Sequence, residues 1–332
     1  MKLRSELEIK QQAFTIQYPD PLLLAGSCFT EHMGEKLRQY RFPVLQNPHG
    51  ILFNPFSLSE TLMSCIENKR YTEADLFYLH ERWNSWAHHS RFSHPHKDDC
   101  LEAINQSQTE AHAFLKDARW VVLTFGSAFV YELTEKGAAQ SGGVQGSVVA
   151  NCHKAPADWF NHRLLSVEEI LSVLDNLIHR LFLFNPSLRL VFTISPVRHL
   201  REGMIENNRS KAALIQAIHH LASKFERIDY FPAYELVIDD LRDYRFYAED
   251  LVHPNYQATR YVWEKFVQGF MSPTARDVIK ALDPILAARR HTPFNPDSRE
   301  HRKFLDTHAA LCRALQAKYP FVDLSEDLSY FA

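Results

Sequence analysis

The chain reads as an α/β protein built on a mostly parallel sheet, and three observations predict it. First, short apolar runs at residues 22–25, 121–125, 190–195 and 228–231 alternate with amphipathic stretches of helical period, the signature of βαβ units. Second, only ten glycines occur in 332 residues, and Gly26 and Gly126 each stand directly after a strand-like run, where the backbone must turn or approach a neighbour closely. Third, the residues with the chemistry of a nucleophile and a base, Ser27-Cys28 and Asp250-Leu-Val-His253, follow predicted strands. Ligands of open parallel sheets bind at the carboxyl ends of the strands.

Taken in order, Leu22 to Ala25 form a strand that breaks at Gly26 and enters a helix with Met33, Leu37 and Tyr40 at i, i+4 and i+7. A weaker strand is expected near Val44 or Ile51. Residues 60–118, rich in Trp, His and Tyr, read as a helical and looped insertion. Val121 to Phe125 form the next strand, and Gln140 to Gly146 form a flexible loop. Ser166-Val-Glu-Glu is a capping box that opens a helix carrying Ile170, Leu174, Ile178 and Leu181, stopped at Asn185-Pro186. The strand Leu190 to Ser195 precedes a second amphipathic helix, from about Asn208 through Leu214, Ile218, Leu221 and Phe225, and Ile228 to Phe231 form the last clear strand. Two helices are expected after residue 272, the second carrying Phe304, Leu305, His308, Leu311 and Leu315. These assignments divide the chain into an α/β domain at 1–272 and a helical extension at 273–332, which is expected to pack on the core or on a partner.

Hydrophobic residues make up 45% and charged residues 23% of the chain, values of a soluble globular protein, and no apolar run reaches the length of a membrane span. The charged start, Met1-Lys-Leu-Arg-Ser-Glu-Leu-Glu, has no following apolar region, so the expected compartment is the cytoplasm. Five cysteines, at 28, 65, 100, 152 and 312, form no C-x-x-C pair, which points to free thiols rather than a disulfide framework. A net charge of −3 with interspersed signs gives no footprint for nucleic acid; a small or neutral substrate fits better.

Ser27 and Cys28 fall where a strand turns into a helix. Backbone N–H groups at a helix start stabilise a thiolate or an oxyanion, so the position suits covalent chemistry. Asp250 lies one helix-like turn before His253, close enough to fix the imidazole tautomer and stabilise its charged form. A helix start and a neighbouring imidazole are expected to lower the Cys28 thiol toward neutrality; the competing reading makes Cys28 a small buried hydrophobe. Arg198 and His199, after a strand end, suit an anionic group or a structural salt bridge. Asn151-Cys152-His153-Lys154 is a polar run that suits a site wall. His80, His88, His89, His94 and His96 gather around Trp83 and Trp86, yet their spacing matches no zinc pattern, and they read as solvated or packing side chains.

The blocks Gly26-Ser-Cys-Phe-Thr30, Asn47-Pro-His-Gly50, Leu123-Thr-Phe-Gly-Ser-Ala128, Asn151-Cys-His-Lys154, Ser195-Pro-Val-Arg-His199 and Asp240 to Tyr247 followed by Asp250-Leu-Val-His253 resemble, in order, the GSCFA family. That family is related to the SGNH (GDSL-type) hydrolases, and the resemblance spans roughly residues 20–270. It implies a three-layer α/β/α sandwich and an acyl-ester hydrolase or acyltransferase working through a covalent acyl-enzyme, with His253 as base and Asp250 orienting it. The first block aligns in two registers: keeping Gly26 as its glycine makes Cys28 the nucleophile, whereas matching its serine to Ser27 shifts the glycine by one. The first keeps the strand-to-turn spacing and is preferred.

In the same resemblance Gly50 stands for the glycine block and Gly126-Ser127-Ala128 for the G-x-N block. Ala128 replaces the asparagine, so one oxyanion donor is lacking and Ser127, Asn54 or Asn151 must replace it, or the protein is a poor hydrolase. Loss of such a donor costs roughly 2.7–4 kcal/mol in other systems. No cofactor is required, and a coenzyme A thioester is compatible as a substrate beside small-molecule or carbohydrate acyl esters. The rival is a non-catalytic carbohydrate- or acyl-binding module that kept the cleft. The oligomeric state stays open.

Overall fold

The computed structural model describes residues 5–332. Its central sheet comprises β1 (Leu22–Gly26), β2 (Val44–Gln46), β3 (Trp120–Phe125), β4 (Arg189–Ile194) and β5 (Ile228–Phe231), in the order β2-β1-β3-β4-β5. Every pair is parallel: Leu22 lies opposite Val44 and Trp120, Trp120 opposite Arg189, and Leu190 opposite Ile228. All residues of β1, β3 and β4 are buried, as strands covered on both faces must be, which is why they read as continuous apolar runs.

Successive side chains of a strand point to opposite faces, and the core divides accordingly. Leu22, Leu24, Trp120 and Val122 join one apolar cluster with α1 (Cys28–Gln39) and, from later in the chain, α6 (Tyr256–Phe270), α7 (Pro273–Arg289) and α8 (Arg299–Lys318). Leu23, Ala25, Val121 and Leu123 join the other with α2 (Pro55–Glu67), the end of α3 (Lys97–Asp117), α4 (Val167–Phe184) and α5 (Met204–Lys224). The result is a three-layer α/β/α sandwich around a parallel sheet, as expected. At the α4 start the capping box forms as read: the Ser166 hydroxyl accepts from Glu169 N–H at 3.2 Å, and the Glu169 carboxylate accepts from Ser166 N–H at 2.8 Å.

Three expectations change. The stretch at 60–118 is in part core, because Leu62 and Cys65 of α2 and Ala111 and Leu115 of α3 lie inside the second cluster; their period was masked by the Trp and His residues between them. Beyond Gly126 the chain builds an antiparallel sheet from Phe129–Leu133, Val148–Val149 and Phe160–Leu164, with a helix at Glu135–Ser141, so part of the expected 140–146 loop is helical. After residue 272 there are three helices, the last being α9 (Ser325–Tyr330). Ala309, Cys312 and Leu315 of α8 pack into the same cluster as β1, and the buried Asp327 of α9 receives Arg41 at 2.7 Å and Arg289 at 3.0 Å. That buried ion cluster fastens the end of the chain to the turn after α1.

Candidate active site

In a sheet of this order the strand connections reverse direction at β1, so the helices following β1 and β3 lie on opposite faces and a crevice opens between the carboxyl ends of those strands. Gly26 ends β1 at φ +153°, and a Cβ there would stand 2.4 Å from Thr124 O, so only glycine lets β1 approach β3 at this point. Asn47 Oδ1 accepts from Gly26 N–H at 2.9 Å and ties the turn to the end of β2. Gly126 lies across the crevice, with Ser27 Cβ and His199 Nε2 within 3.3 Å and 3.0 Å of where its own Cβ would project.

The two candidate nucleophiles differ sharply in access. Ser27 is the N-cap of α1 with only 1% of its surface exposed, and its buried hydroxyl has no hydrogen-bond partner among the described residues. Cys28 is the first residue of α1 and is partly exposed. The N–H groups of Phe29 and Cys28 face its sulfur, as a helix start provides, and the Lys211 charge also favours the thiolate. Burial outweighs them and pushes the Cys28 thiol up, not toward neutrality as the helix start alone suggested.

Asp250 and His253 meet as their spacing predicts. His253 Nδ1 lies 2.7 Å from Asp250 Oδ2, while Asp250 Oδ1 accepts from the N–H groups of Val252 at 2.9 Å and His253 at 3.0 Å. Those backbone and side-chain bonds, led by the His253 N–H, hold the Asp250 carboxyl down at about 2, so it stays ionised. The proton on Nδ1 satisfies the carboxylate and leaves Nε2 as the basic nitrogen. Arg198 N–H donates to Val252 O at 3.2 Å, which hangs this loop on the chain leaving β4. The His253 charge opposes protonation of both His32, one turn beyond Cys28, and His199. It bonds to Asp250 and, among the described residues, to neither Ser27 nor Cys28.

Most of the expected oxyanion donors are already committed. Gly50 N–H donates to Asn47 O at 2.7 Å, and Gly126 and Ser127 N–H both donate to Phe53 O, at 2.7 and 3.2 Å. The Ser127 hydroxyl lies 3.2 Å from Ser210 Oγ and accepts from Phe129 N–H. Asn54 caps α2, accepting from Ser57 N–H and donating to Ser57 Oγ. Asn151 Oδ1 accepts from His153 N–H at 2.8 Å, and His153 itself is buried against Phe77 and Trp86 with Nε2 on Ser85 O at 2.9 Å, so it packs rather than walls the site.

Arg198 lies over the Tyr247 and Tyr244 rings at 4.5 and 5.2 Å, a cation–π clamp rather than a salt bridge. His199 packs against the Phe53 ring at 5.1 Å and turns its buried Nε2, without a hydrogen-bond partner among the described residues, toward Gly126; burial, with the Lys211 and His253 charges, pushes its pKa down to about 4. His49 and His88 stack at 4.2 Å in the interior, and among the described residues no group of three His, Cys, Asp or Glu side chains is arranged to hold a metal.

Lys211 escaped the sequence reading. It lies fully buried under the crevice, its ammonium donating to Gly126 O at 2.6 Å and Ser195 O at 2.7 Å. The signal was present: Lys211, Leu214 and Ile218 fall at i, i+3 and i+7 of α5, so a charge sits on its apolar face.

The fold and this crevice define an α/β protein with a thiol at the strand-to-helix turn of its sheet switch point and an Asp-His pair on the loop tied to the chain leaving β4. The GSCFA family model matches residues 21–266, and that of the GSCFA domain protein, C-terminal domain, matches 282–332. The chain belongs to the GSCFA family. Among solved structures it is similar to a carbohydrate esterase family 3 protein from Talaromyces cellulolyticus, at 7% identity over 79% of this chain and 98% of that one, with a TM-score of 0.36. It is also similar to the acetyl xylan esterase Est2A from the rumen bacterium Butyrivibrio proteoclasticus, at 9% identity over 81% of this chain and 65% of that one, with a TM-score of 0.35. No curated protein matches the chain.

Proposed function

We propose that the chain is an esterase-like acyl hydrolase or acyltransferase that forms a thioester on Cys28. The observation that carries the reading is the difference in access: at the turn between β1 and α1 Cys28 is partly exposed, while Ser27 and its hydroxyl are buried. A group that attacks a substrate carbonyl must reach it.

In this scheme the His253 loop closes onto the start of α1 when substrate binds, as catalytic contacts often tighten only in the complex. Cys28 Sγ then attacks the acyl carbon and its proton passes to His253 Nε2, while Asp250 holds Nδ1 and balances the imidazolium charge. The Cys28 and Phe29 N–H groups receive the developing oxyanion. The C–O or C–S bond of the substrate breaks, and the leaving group takes the proton back from His253. Water or a second alcohol or thiol attacks the thioester as His253 takes its proton, the bond from the acyl carbon to Cys28 Sγ breaks, and His253 returns the proton to the sulfur. Small-molecule or carbohydrate acyl esters are the substrates this scheme takes, and a coenzyme A thioester would serve as an acyl donor.

Hydrolysis of p-nitrophenyl acetate by the wild type, Cys28→Ala, Ser27→Ala and His253→Ala tests it. Cys28→Ala and His253→Ala are expected to lose about 10²-fold or more, the scale of removing a nucleophile or general base, with Ser27→Ala far less affected. Equal rates in all four would overturn the covalent reading. A second reading, a binding module without chemistry, is favoured by Ala128 and by the committed N–H groups of Gly50, Gly126 and Ser127. A Cys28 that stays inert to iodoacetamide up to pH 9, in a protein that binds acylated sugars, would establish that reading instead.

A further inference from the structure

We propose that the groove between α1, α6 and α7 holds the phosphate-bearing tail of the acyl donor, so that the chain takes its acyl group from a phosphorylated carrier. The inference names the substrate class of the reading above and rests on it.

The groove is placed by the two helices that begin at the two halves of the site. α1 begins at Cys28, and α6 begins at Tyr256, three residues after His253. Cys28, His32 and Lys36 follow one i, i+4, i+8 row of α1, so a ligand lying along that row from the sulfur meets Lys36 roughly 12 Å away, at 1.5 Å per residue. There the three helices line a cavity of about 340 Å³, a size that suits a small ligand. Two of its lining rings are buried and stack on each other, Tyr40 on Trp263 at 5.6 Å, while Tyr256 also lines it and is 63% exposed. The wall from α7, with Asp283 and Arg290, falls in the segment that the C-terminal domain model matches.

Charge decides the ligand. Three cations, Lys36, Arg260 and Arg290, and two carboxylates, Glu264 and Asp283, line the cavity. Both carboxylates are engaged: Glu264 Oε1 accepts from Arg260 Nε at 2.9 Å, and Asp283 Oδ1 accepts from the Tyr40 hydroxyl at 2.7 Å. Lys36 and Arg290 make no ion pair among the described residues. Lys36 Nζ lies 5.9 Å from the Tyr256 ring centre, and Arg290 Nη2 donates to Gln39 Oε1 at 3.4 Å. Gln39 is three residues beyond Lys36 on the same helix, so the two unpaired cations gather at one end of the groove. An ammonium and a guanidinium together suit phosphate oxygens, and two cations match a doubly charged phosphate better than a single carboxylate. Lys36 and Arg290 also stand at the ends of α1 and α7, where cations complement the backbone dipole, but that role needs neither a cavity nor an aromatic wall.

The test reads binding on the full chain without turnover. ADP, pyrophosphate and adenosine are titrated calorimetrically into the wild type, Lys36→Gln, Arg290→Gln and Lys36→Arg. Both anions should saturate one site per chain, each Gln variant should weaken them roughly tenfold, and Lys36→Arg should keep most of the affinity. Adenosine, which lacks the phosphates, should not saturate. No saturable binding of either anion, or affinities unchanged in both Gln variants, would overturn the inference and leave the two cations as helix-end charges. Turnover then ties the groove to the donor: kcat/KM for acetyl-coenzyme A relative to p-nitrophenyl acetate should fall roughly tenfold in Lys36→Gln, chiefly through KM, and an unchanged ratio overturns that tie. The two readings fail separately. Anion binding in the groove with full esterase activity in Cys28→Ala removes the nucleophile, whereas a Cys28-dependent esterase that binds neither anion removes the groove alone.

Discussion

The two halves of the site are built from opposite materials. The half that carries the proposed nucleophile, Ser27 and Cys28 with Gly126 across the crevice, stands at the ends of buried strands, where Lys211 of α5 bonds Gly126 O and Ser195 O. The base half, Asp250 and His253, stands on a loop with side chains 50% and 45% exposed, held by its own turn and by the bond from Arg198 to Val252. In the proposed scheme the position of attack is therefore set by packed sheet ends, while the proton acceptor is held by a local, solvent-exposed turn.

The comparison is broken most severely by removing the sulfur. Cys28→Ala is expected to abolish acyl transfer in the scheme proposed here, with the p-nitrophenyl acetate assay as its check. Next in size is the backbone under it: Gly26→Ala forces a Cβ to within 2.4 Å of Thr124 O at φ +153°, and should cost on the order of 2–4 kcal/mol, seen as a clear fall in melting temperature. Gly146→Ala, at φ +79° with nothing within 4 Å, should cost only about 1 kcal/mol, so equal losses would deny that the crevice is packed as described.

Acidification sharpens the same contrast. Burial holds His49 and His199 down at about 4, against an ordinary value of 6.5. Between those values the unfolded chain binds more protons than the native one, so the stability these histidines contribute is complete above about pH 6.5 and is lost as pH falls toward 4. Melting temperature measured across that range should fall, and His49→Gln should flatten part of the slope. The smallest structural effect belongs to the exposed half. Asp250→Asn should leave the melting temperature unchanged while slowing turnover, because a solvated pair adds little stability yet still sets the imidazole tautomer. A large drop in melting temperature would show the loop to be part of the rigid frame.

Much of the scaffold was legible in the chain. Runs such as Leu22 to Ala25 are apolar throughout because both faces of their strands are covered, and Ser166 to Glu169 carry a cap whose whole geometry is local. The pairing of Asp250 with His253 was legible for the same reason, since the contact spans three residues. The antiparallel sheet at 129–164 was not, because its pairing depends on partners far apart in the chain and its strands alternate weakly. Nor were the committed N–H groups of Gly50 and Gly126, since a sequence names a donor without naming its acceptor.

By itself the sequence determined the alternation of strands and helices, the glycine that ends β1, and the presence of a thiol, a hydroxyl, an imidazole and a carboxylate in the right blocks. Which of Ser27 and Cys28 meets solvent was decided only by tertiary structure, because burial arises from layers contributed by distant segments of the chain. The same holds for Lys211, brought 16 residues back to Ser195 and 85 back to Gly126 by the packing of α5 against the ends of β3 and β4. Local rules set what each residue can do; only the packed sheet sets what each one faces.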